Sequence, residues 1–142
     1  MTNHSFIEGI KYGVASLIKY SWTVFGFVLP KHKKMIVFDS FVGKQYSCNP
    51  RALYEYMQKN FREDVEYVWA FTNPEQFQFL KRNKNTIICR YRSLKHLYYC
   101  YVAQVIVFNF TRTNEMPTRK GQMIVQTWHG GGCYKKAGGS VK

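Results

Sequence analysis

A histidine followed by glycines and lysines is the most chemically suggestive group in this sequence of 142 residues. His129 comes directly after a short apolar run, and small and basic residues follow it: Gly130, Gly131, Gly132, Lys135 and Lys136. Imidazole accepts a proton near neutral pH, and successive N–H groups among glycines can bind an anion. The pattern predicts that His129 is a catalytic base. Substrate binding is expected from Gly130, Lys135 and Lys136.

Residues 39–50 form a second polar loop, between an apolar run and a predicted helix. Its candidate substrate-binding residues are Gly43, Lys44, Gln45, Asn49 and Arg51. Because the N-terminus of a helix favours phosphate, this loop could cradle an anion. The GxxxxGK[ST] spacing of a P-loop is absent, and a structural turn with a helix cap would explain many of the same residues.

Short apolar runs alternate with amphipathic segments from Met35 onward, which predicts a mostly parallel, Rossmann-like α/β sheet with helices on both faces. The predicted strands are Met35–Asp39, Val65–Phe71, Thr86–Arg90, Gln104–Phe108 and Gln122–Thr127. The predicted helices are Pro50–Phe61 with Asn49 as N-cap, a segment from Pro74 to about Arg82, and a segment capped by Ser93. Ligands bind at the carboxyl ends of such strands, where both candidate loops begin.

Residues 6–29 repeat apolar side chains at steps of three and four, which predicts an amphipathic helix. Pro30 ends this helix, and a basic cluster follows at residues 31–34. Lys19 interrupts the apolar run, so a membrane span is marginal, and no small-x-small site supports a cleaved signal peptide. We expect residues 1–34 to lie on an anionic membrane surface; packing on the protein itself or on a partner is the alternative. Residues 35–142 form the predicted domain.

The formal net charge is +13, from 21 lysines and arginines against 8 acidic residues, and it indicates phosphate-bearing partners. Nucleic acid, anionic lipid and phosphate polymers are all compatible with this charge. The 4 cysteines show neither a CxxC pair nor zinc-like spacing, which indicates reduced thiols in a cytosolic setting. No metal or cofactor is predicted.

Several motifs, in their order and spacing, resemble the CDP-glycerol:poly(glycerophosphate) glycerophosphotransferases of wall teichoic acid and capsule synthesis. They are Phe38–Phe41, Gly43–Ser47, Asn49–Tyr56, Tyr67–Phe71, Phe108-Asn109, Arg119–Gln122 and Gln126–Gly130. The resemblance runs from about residue 35 to the end of the sequence. Asp39 stands where the family commonly has glutamate, and Gly131-Gly132 replace its usual Thr-Pro.

The resemblance implies the N-terminal, acceptor-side half of a glycosyltransferase-B-like fold, with most of the CDP-glycerol site on a C-terminal half. It implies transfer of glycerol phosphate from CDP-glycerol to a lipid-linked polyol-phosphate or polymer acceptor. The place of this reaction would be the cytoplasmic face of a bacterial membrane. His129 corresponds to the proposed catalytic base of the family, whereas His4, His32 and His96 are expected to lie away from the site. The chain alone is expected to be inactive.

Two other functions are compatible with parts of the sequence. The run His129–Gly132 resembles the oxyanion-hole motif of α/β-hydrolases, but the sequence contains no GxSxG nucleophile turn. A non-catalytic basic module that binds anionic membrane or nucleic acid would suit Tyr91 and Tyr98, which stand among basic residues. No recognised nucleic-acid-binding motif is present, so no nucleic acid partner is predicted.

Overall fold

Five parallel strands form the sheet of this computed structural model, which describes residues 24, 28–61, 64–110 and 118–128. The strands are β1 (His32–Asp39), β2 (Glu66–Phe71), β3 (Thr86–Arg90), β4 (Ala103–Phe108) and β5 (Met123–Gln126). Their order across the sheet is β3-β2-β1-β4-β5, and each pairing between them is parallel. The carboxyl ends of the strands therefore lie along one edge, here called the carboxyl edge; the opposite edge is the amino edge.

Apolar side chains cover both faces of the central strands. In β1, Val37 enters one core and Phe38 enters the other, and neither is exposed to solvent. A parallel sheet that is buried on both faces requires such continuous apolar runs. The predicted Rossmann-like α/β sheet is confirmed.

Two α-helices and one 3₁₀ helix connect the strands of the described region. They are α1 (Cys48–Asn60), the 3₁₀ helix (Pro74–Arg82) and α2 (Leu94–Val102). Tyr54 of α1 and Leu80 of the 3₁₀ helix are buried in the core that contains Phe38. Cys100 of α2 is buried in the core that contains Val37. The helices therefore lie on both faces, as right-handed crossovers that run in opposite directions across a sheet require.

The start of α1 differs from the sequence-based prediction. Ser47 occupies the N-cap position, so the predicted N-cap Asn49 lies within the first turn of the helix. The cap of α2 is confirmed, because the Ser93 side chain accepts a hydrogen bond from the His96 backbone N–H at 3.2 Å. A side chain that caps a helix satisfies one of its unpaired N–H groups.

The segment after Asn73 is a 3₁₀ helix, and it is kinked at Phe77 (φ −116°, ψ 16°). The Phe77 ring stacks on Phe71 of β2 with ring centroids 3.9 Å apart. This contact draws Phe77 towards the sheet and competes with regular helical geometry, since tertiary packing routinely overrides local propensity.

Arg119 and Gln122 tie the segment before β5 to the amino edge. Arg119 Nη1 donates to the Leu29 carbonyl at 2.7 Å. Gln122 Nε2 donates to the carbonyls of Cys100 and Ala103, both at 2.7 Å, at the end of α2. Because the last carbonyls of a helix have no helical partner, these bonds stabilise the helix end. This part of the Arg119–Gln122 motif is therefore structural and lies opposite the carboxyl edge.

The folded domain begins earlier than the sequence predicted. β1 starts at His32 rather than Met35, and Leu29 packs against a buried core, so the predicted boundary at residue 34 falls inside a strand. The predicted amphipathic helix lies outside the described residues, except for its last part, where Val24 and Val28 are 53% and 81% exposed. Within the described ranges, the structure contains no helix with the length and apolarity to cross a membrane.

Candidate functional site

A buried polar group joins the ends of β1 and β4 at the carboxyl edge. Asn109 Oδ1 accepts from the Phe41 N–H at 2.8 Å, and Asn109 Nδ2 donates to Ser40 Oγ at 3.3 Å. Ser40 Oγ donates in turn to the Ser47 carbonyl at 3.1 Å. Ser40 and Asn109 are fully buried. Because buried polar groups that are hydrogen-bonded favour one geometry, this network holds the β1–α1 loop against β4.

The β1–α1 loop contains three successive residues in the left-handed region. Phe41, Val42 and Gly43 have φ angles of 48°, 60° and 74°. This conformation costs residues that carry a side chain roughly 1–2 kcal/mol each, and it is most unusual for β-branched valine. Thr72 supports the turn, since its N–H donates to the Gly43 carbonyl at 2.7 Å and its Oγ1 to the Val42 carbonyl at 3.2 Å. Such strain clusters at functional sites.

Gly43 has a structural role in this loop. A Cβ atom at position 43 would lie 2.8 Å from Tyr91 Cβ and 3.0 Å from the Thr72 nitrogen, so only glycine fits. Its N–H donates to Asp39 Oδ1 at 2.6 Å, and its carbonyl accepts from Thr72. Sequence reasoning predicted that Gly43 binds substrate, whereas the structure gives both of its backbone polar groups partners within the protein.

Asp39 is a buried carboxylate at the end of β1. Burial raises the pKa of this carboxyl from 3.8 to about 6, and the hydrogen bond from Gly43 opposes that shift in pKa. Sequence reasoning noted Asp39 only as a departure from the glutamate of the family, and Asn109 only as part of a motif. A polar residue at the carboxyl end of a predicted strand was the available signal for both.

The other substrate-binding candidates of the first loop lie on the surface of the carboxyl edge. Lys44 and Gln45 are exposed, and Gln45 Oε1 accepts from Ser47 Oγ at 2.9 Å. Arg51 Nε donates to Glu55 Oε1 at 2.8 Å, and the guanidinium lies 5.0 Å from the centre of the Tyr46 ring. The carboxylate of Glu55 therefore offsets the charge of Arg51, while Lys44 remains an exposed cation beside the loop.

Asn49 connects α1 to the end of β5. Its Nδ2 donates to the carbonyls of Thr127 and Trp128, at 3.0 Å and 3.2 Å. The Thr127 N–H donates to the Phe108 carbonyl of β4 at 2.8 Å. The backbone that leads into the histidine motif is thereby bonded to both α1 and β4.

The remaining candidates, His129, Gly130, Lys135 and Lys136, lie outside the described residues. Trp128, the last described residue, directly precedes His129 in the sequence. The assignment of His129 as a catalytic base therefore stays a prediction.

His96 lies near the carboxyl edge, in the first turn of α2, contrary to the expectation from sequence. It is fully buried, its Nδ1 accepts from the Arg92 N–H at 3.0 Å, and its ring centroid lies 5.0 Å from that of Tyr91. Burial lowers the pKa of His96 from 6.5 to about 4. Since Tyr91 packs against Gly43, His96 supports the same loop, and alanine at position 96 is not a neutral control.

Asp39 and His96 are expected to make opposite contributions to the pH dependence of stability. Between pH 3.8 and 6 the folded protein binds more protons at Asp39 than the unfolded chain, so the unfolding free energy falls as pH rises. Between pH 4 and 6.5 the unfolded chain binds more protons at His96, so the unfolding free energy rises with pH. In the unsubstituted protein the two effects largely cancel between pH 4 and 6.

We therefore expect the two asparagine variants to show opposite pH slopes in urea unfolding followed by circular dichroism. In Asp39→Asn only the His96 contribution remains, so the unfolding free energy should rise by about 3 kcal/mol from pH 4 to 6.5. In His96→Asn only the Asp39 contribution remains, so the unfolding free energy should fall by a similar amount from pH 4 to 6. Both replacements keep an oxygen that can accept the native backbone hydrogen bond. Equal slopes in the two variants would contradict the prediction.

Two of the described cysteines, Cys89 and Cys100, are buried, whereas Cys48 is exposed. Burial raises the pKa of the Cys89 thiol to about 12, so this thiol is not a nucleophile near neutral pH. In the part of the chain that the structure describes, no group of three or more histidine, cysteine, aspartate or glutamate residues is placed to hold a metal ion.

The comparisons with known proteins identify close relatives of known activity. The sequence profile of the CDP-glycerol:poly(glycerophosphate) glycerophosphotransferase family matches residues 22–142. A teichoic acid poly(glycerol phosphate) polymerase of Bacillus spizizenii is 36% identical over 104 residues, which are 72% of this chain and 26% of that protein. A teichoic acid glycerol-phosphate transferase of Staphylococcus aureus is 34% identical over 125 residues, which are 85% of this chain and 31% of that protein.

Solved structures show the same relationship. A variant of the wall teichoic acid polymerase TagF, in which one histidine is replaced by alanine, aligns with a TM-score of 0.63 and 25% identity, over 92% of this chain and 32% of that chain. A TagF variant soaked with CDPG gives the same TM-score over 92% of this chain and 33% of that chain. The likeness confirms the predicted glycosyltransferase-B-like fold class. This chain spans 26% to 33% of the length of these two relatives and of the two TagF chains.

Proposed function

This chain belongs to the CDP-glycerol:poly(glycerophosphate) glycerophosphotransferase family, and we propose that it is the acceptor-side domain of an enzyme of teichoic acid or related cell-surface polymer synthesis. The enzyme transfers glycerol phosphate from CDP-glycerol to a lipid-linked polyol-phosphate or polymer acceptor. The observation that carries the proposal is the bond from Asn49 to the end of β5, because it brings the backbone before His129 to the N-terminus of α1.

In the proposed reaction, His129 accepts the proton of a terminal hydroxyl group of the acceptor. That oxygen attacks the β-phosphorus of CDP-glycerol, and the bond from this phosphorus to the bridging oxygen breaks as CMP leaves. A general base typically contributes about 10²- to 10⁴-fold in rate. Positioning of the two substrates and neutralisation of phosphate charge supply the rest.

The N-terminus of α1 supports phosphate binding at this edge. Ser47 makes no side-chain hydrogen bond to cap the helix. Pro50 has no N–H, and the Arg51 N–H donates to the Ser47 carbonyl at 3.4 Å, so the N–H groups of Cys48 and Asn49 are the ones left to other partners. The helix dipole favours an anion there, and Lys44 is exposed on the adjoining loop. Lys135 and Lys136 are proposed to add charge to the same site.

The test of this function is acceptor-dependent release of CMP by this chain combined with a donor-binding domain. We expect labelled glycerol phosphate to enter the acceptor in the same amount as CMP is released. Release of CMP without incorporation would indicate hydrolysis of the donor and contradict the proposal. RNA binding with a steep salt dependence, in the absence of any CMP release, would favour the non-catalytic basic module instead.

Peripheral attachment to the cytoplasmic face of a bacterial membrane is part of the proposal. The exposed positions of Val24 and Val28, four residues apart, support a membrane contact rather than packing on the domain. Leu29, in contrast, packs against the core. The basic residues 31–34 follow, at the amino edge, where anionic headgroups would meet them.

We expect the full chain to sediment with phosphatidylglycerol vesicles and to be released at high salt. A shortened chain that begins at Leu29 should stay in the supernatant, because it keeps β1 and the Leu29 carbonyl bound by Arg119 but lacks the apolar segment. Lys33→Gln should weaken vesicle binding roughly fivefold. Lys95→Gln, on α2 near the carboxyl edge, is the matched control. Equal sedimentation of the full and shortened chains would contradict the proposal of membrane attachment.

A further inference from the structure

We propose that Asn49 is a positioning residue for His129, because its side-chain amide holds the Thr127–Trp128 turn that leads into the histidine. This inference rests on the proposed function, since it takes His129 as the base. It assigns to Asn49 a role different from the substrate binding that the sequence predicted.

The geometry of the contact matches the two hydrogens of an amide. Asn49 Nδ2 lies 3.0 Å from the Thr127 carbonyl oxygen and 3.2 Å from the Trp128 carbonyl oxygen, both within hydrogen-bonding range. With both N–H groups donated to the backbone, the side chain offers a ligand only its carbonyl oxygen. That oxygen could accept from a hydroxyl group, but it would repel phosphate.

The turn held by Asn49 is in an unusual conformation. Trp128 has a φ angle of 56°, in the left-handed region that residues with large side chains rarely adopt. Such a conformation persists only where the surrounding structure holds it. The two bonds from Asn49 reach the carbonyl on each side of the Trp128 Cα, so they hold the backbone of Trp128 in this conformation.

Loss of the Asn49 amide should affect this turn and little else. The Thr127 N–H donates to the Phe108 carbonyl at 2.8 Å, so the end of β5 keeps its attachment to β4. The Thr127 hydroxyl lies 3.3 Å from the Phe108 carbonyl oxygen and 3.4 Å from the Trp128 carbonyl oxygen, and its single hydrogen serves one of them at a time. The Asn49 side chain is exposed, and the N-cap of α1 is Ser47. The fold therefore does not depend on this amide, whereas the Thr127–Trp128 turn does.

A matched pair of alanine variants separates positioning from general stability. Asn60 lies at the other end of α1, and its Nδ2 also donates to a backbone carbonyl, that of Tyr56 at 2.7 Å. We expect Asn49→Ala to lower kcat about tenfold or more, since small misplacements of a catalytic group cost this much. The KM values for CDP-glycerol and acceptor should change less than about twofold. Asn60→Ala should leave kcat and the two KM values unchanged.

Two further measurements use variants of the same residue and the chain itself. Asn49→Asp, which has the shape of asparagine but no N–H, should lower kcat as Asn49→Ala does. With Trp22 replaced by Phe, the remaining tryptophans are Trp128, which is 44% exposed, and Trp69, which is fully buried. The Trp128 side chain should move more freely in Asn49→Ala, so the tryptophan fluorescence anisotropy should fall. The melting temperature of Asn49→Ala should fall by no more than about 5 °C.

The outcomes are distinguishable when His129→Ala is assayed beside these variants. Near-normal kcat in Asn49→Ala, with a large loss in His129→Ala, would overturn the positioning role and leave the proposed function standing. A higher KM at unchanged kcat would return Asn49 to substrate binding and also overturn it. Normal turnover in His129→Ala would overturn the proposed function itself.

Discussion

Replacing His129 with alanine is expected to lower turnover of the proposed two-domain enzyme by about 10²-fold or more, with little change in CDP-glycerol affinity. A general base acts mainly in the transition state, where the acceptor hydroxyl loses its proton. Substrate binding in the ground state uses other groups. The turnover number of the unsubstituted enzyme should rise from acid to neutral pH, because only neutral imidazole accepts a proton. This rise should be absent from the residual activity of His129→Ala.

His32→Ala is the matched control for this experiment. His32 begins β1 at the amino edge, is exposed, and lies 4.0 Å from Glu66, far along the strand from Asp39. Its removal should leave turnover nearly unchanged. If His129→Ala kept near-normal turnover, or lost activity only because the domain unfolded, His129 would be a structural histidine. Circular dichroism and a melting curve of each variant distinguish these results.

The alternation of apolar and amphipathic segments was sufficient to predict the fold. Each predicted strand is present to within three residues at either end, since buried parallel strands such as Ile36–Phe38 carry apolar residues on both faces. Ser93 was predicted as a cap because capping is a local interaction. The 3₁₀ helix was not predicted, because the stacking of Phe77 on Phe71 depends on tertiary packing.

The candidate site was less predictable, because its bonds join residues that are distant in sequence. Asn49 was assigned as a helix cap and ligand from its local surroundings, yet its partners lie 78 and 79 residues away. Asn109 and Phe41 are separated by 68 residues. The spacing of apolar residues along the sequence carries no information about such distant pairs. The sequence identified which loops gather at the carboxyl edge, but not which side chains face the backbone and which face a ligand.

The carboxyl edge contains a buried carboxylate and left-handed backbone conformations, and both lower the stability of the folded protein. Asp39 is charged at neutral pH only against the cost of burial, because its pKa is raised to about 6. Val42 and Trp128 hold left-handed conformations through hydrogen bonds to the polar residues around them. Natural proteins accept such costs mainly at functional sites. The concentration of these features near the ends of β1 and β5 supports this edge as the catalytic one.

The 142-residue chain alone is expected to transfer no glycerol phosphate above a heat-inactivated control, and a donor-binding domain should restore transfer. The chain spans 26% of the Bacillus spizizenii polymerase and 32% of TagF, and we propose that most of the CDP-glycerol site lies on another domain. Negative charge develops on the bridging oxygen of CDP-glycerol as its bond to the β-phosphorus breaks and CMP leaves. Removal of even one group that stabilises such charge typically costs about 10²- to 10³-fold in rate.

The measurement is incorporation of labelled glycerol phosphate into acceptor by the chain, by the donor-binding domain, and by both together. Transfer should require the mixture, and a mixture made with His129→Ala should stay inactive. That last sample matters because it shows that transfer by the mixture depends on His129 of this chain. Turnover by the 142-residue chain alone would show that its own carboxyl edge binds and activates CDP-glycerol, and the proposed division of the site between two domains would have to be abandoned.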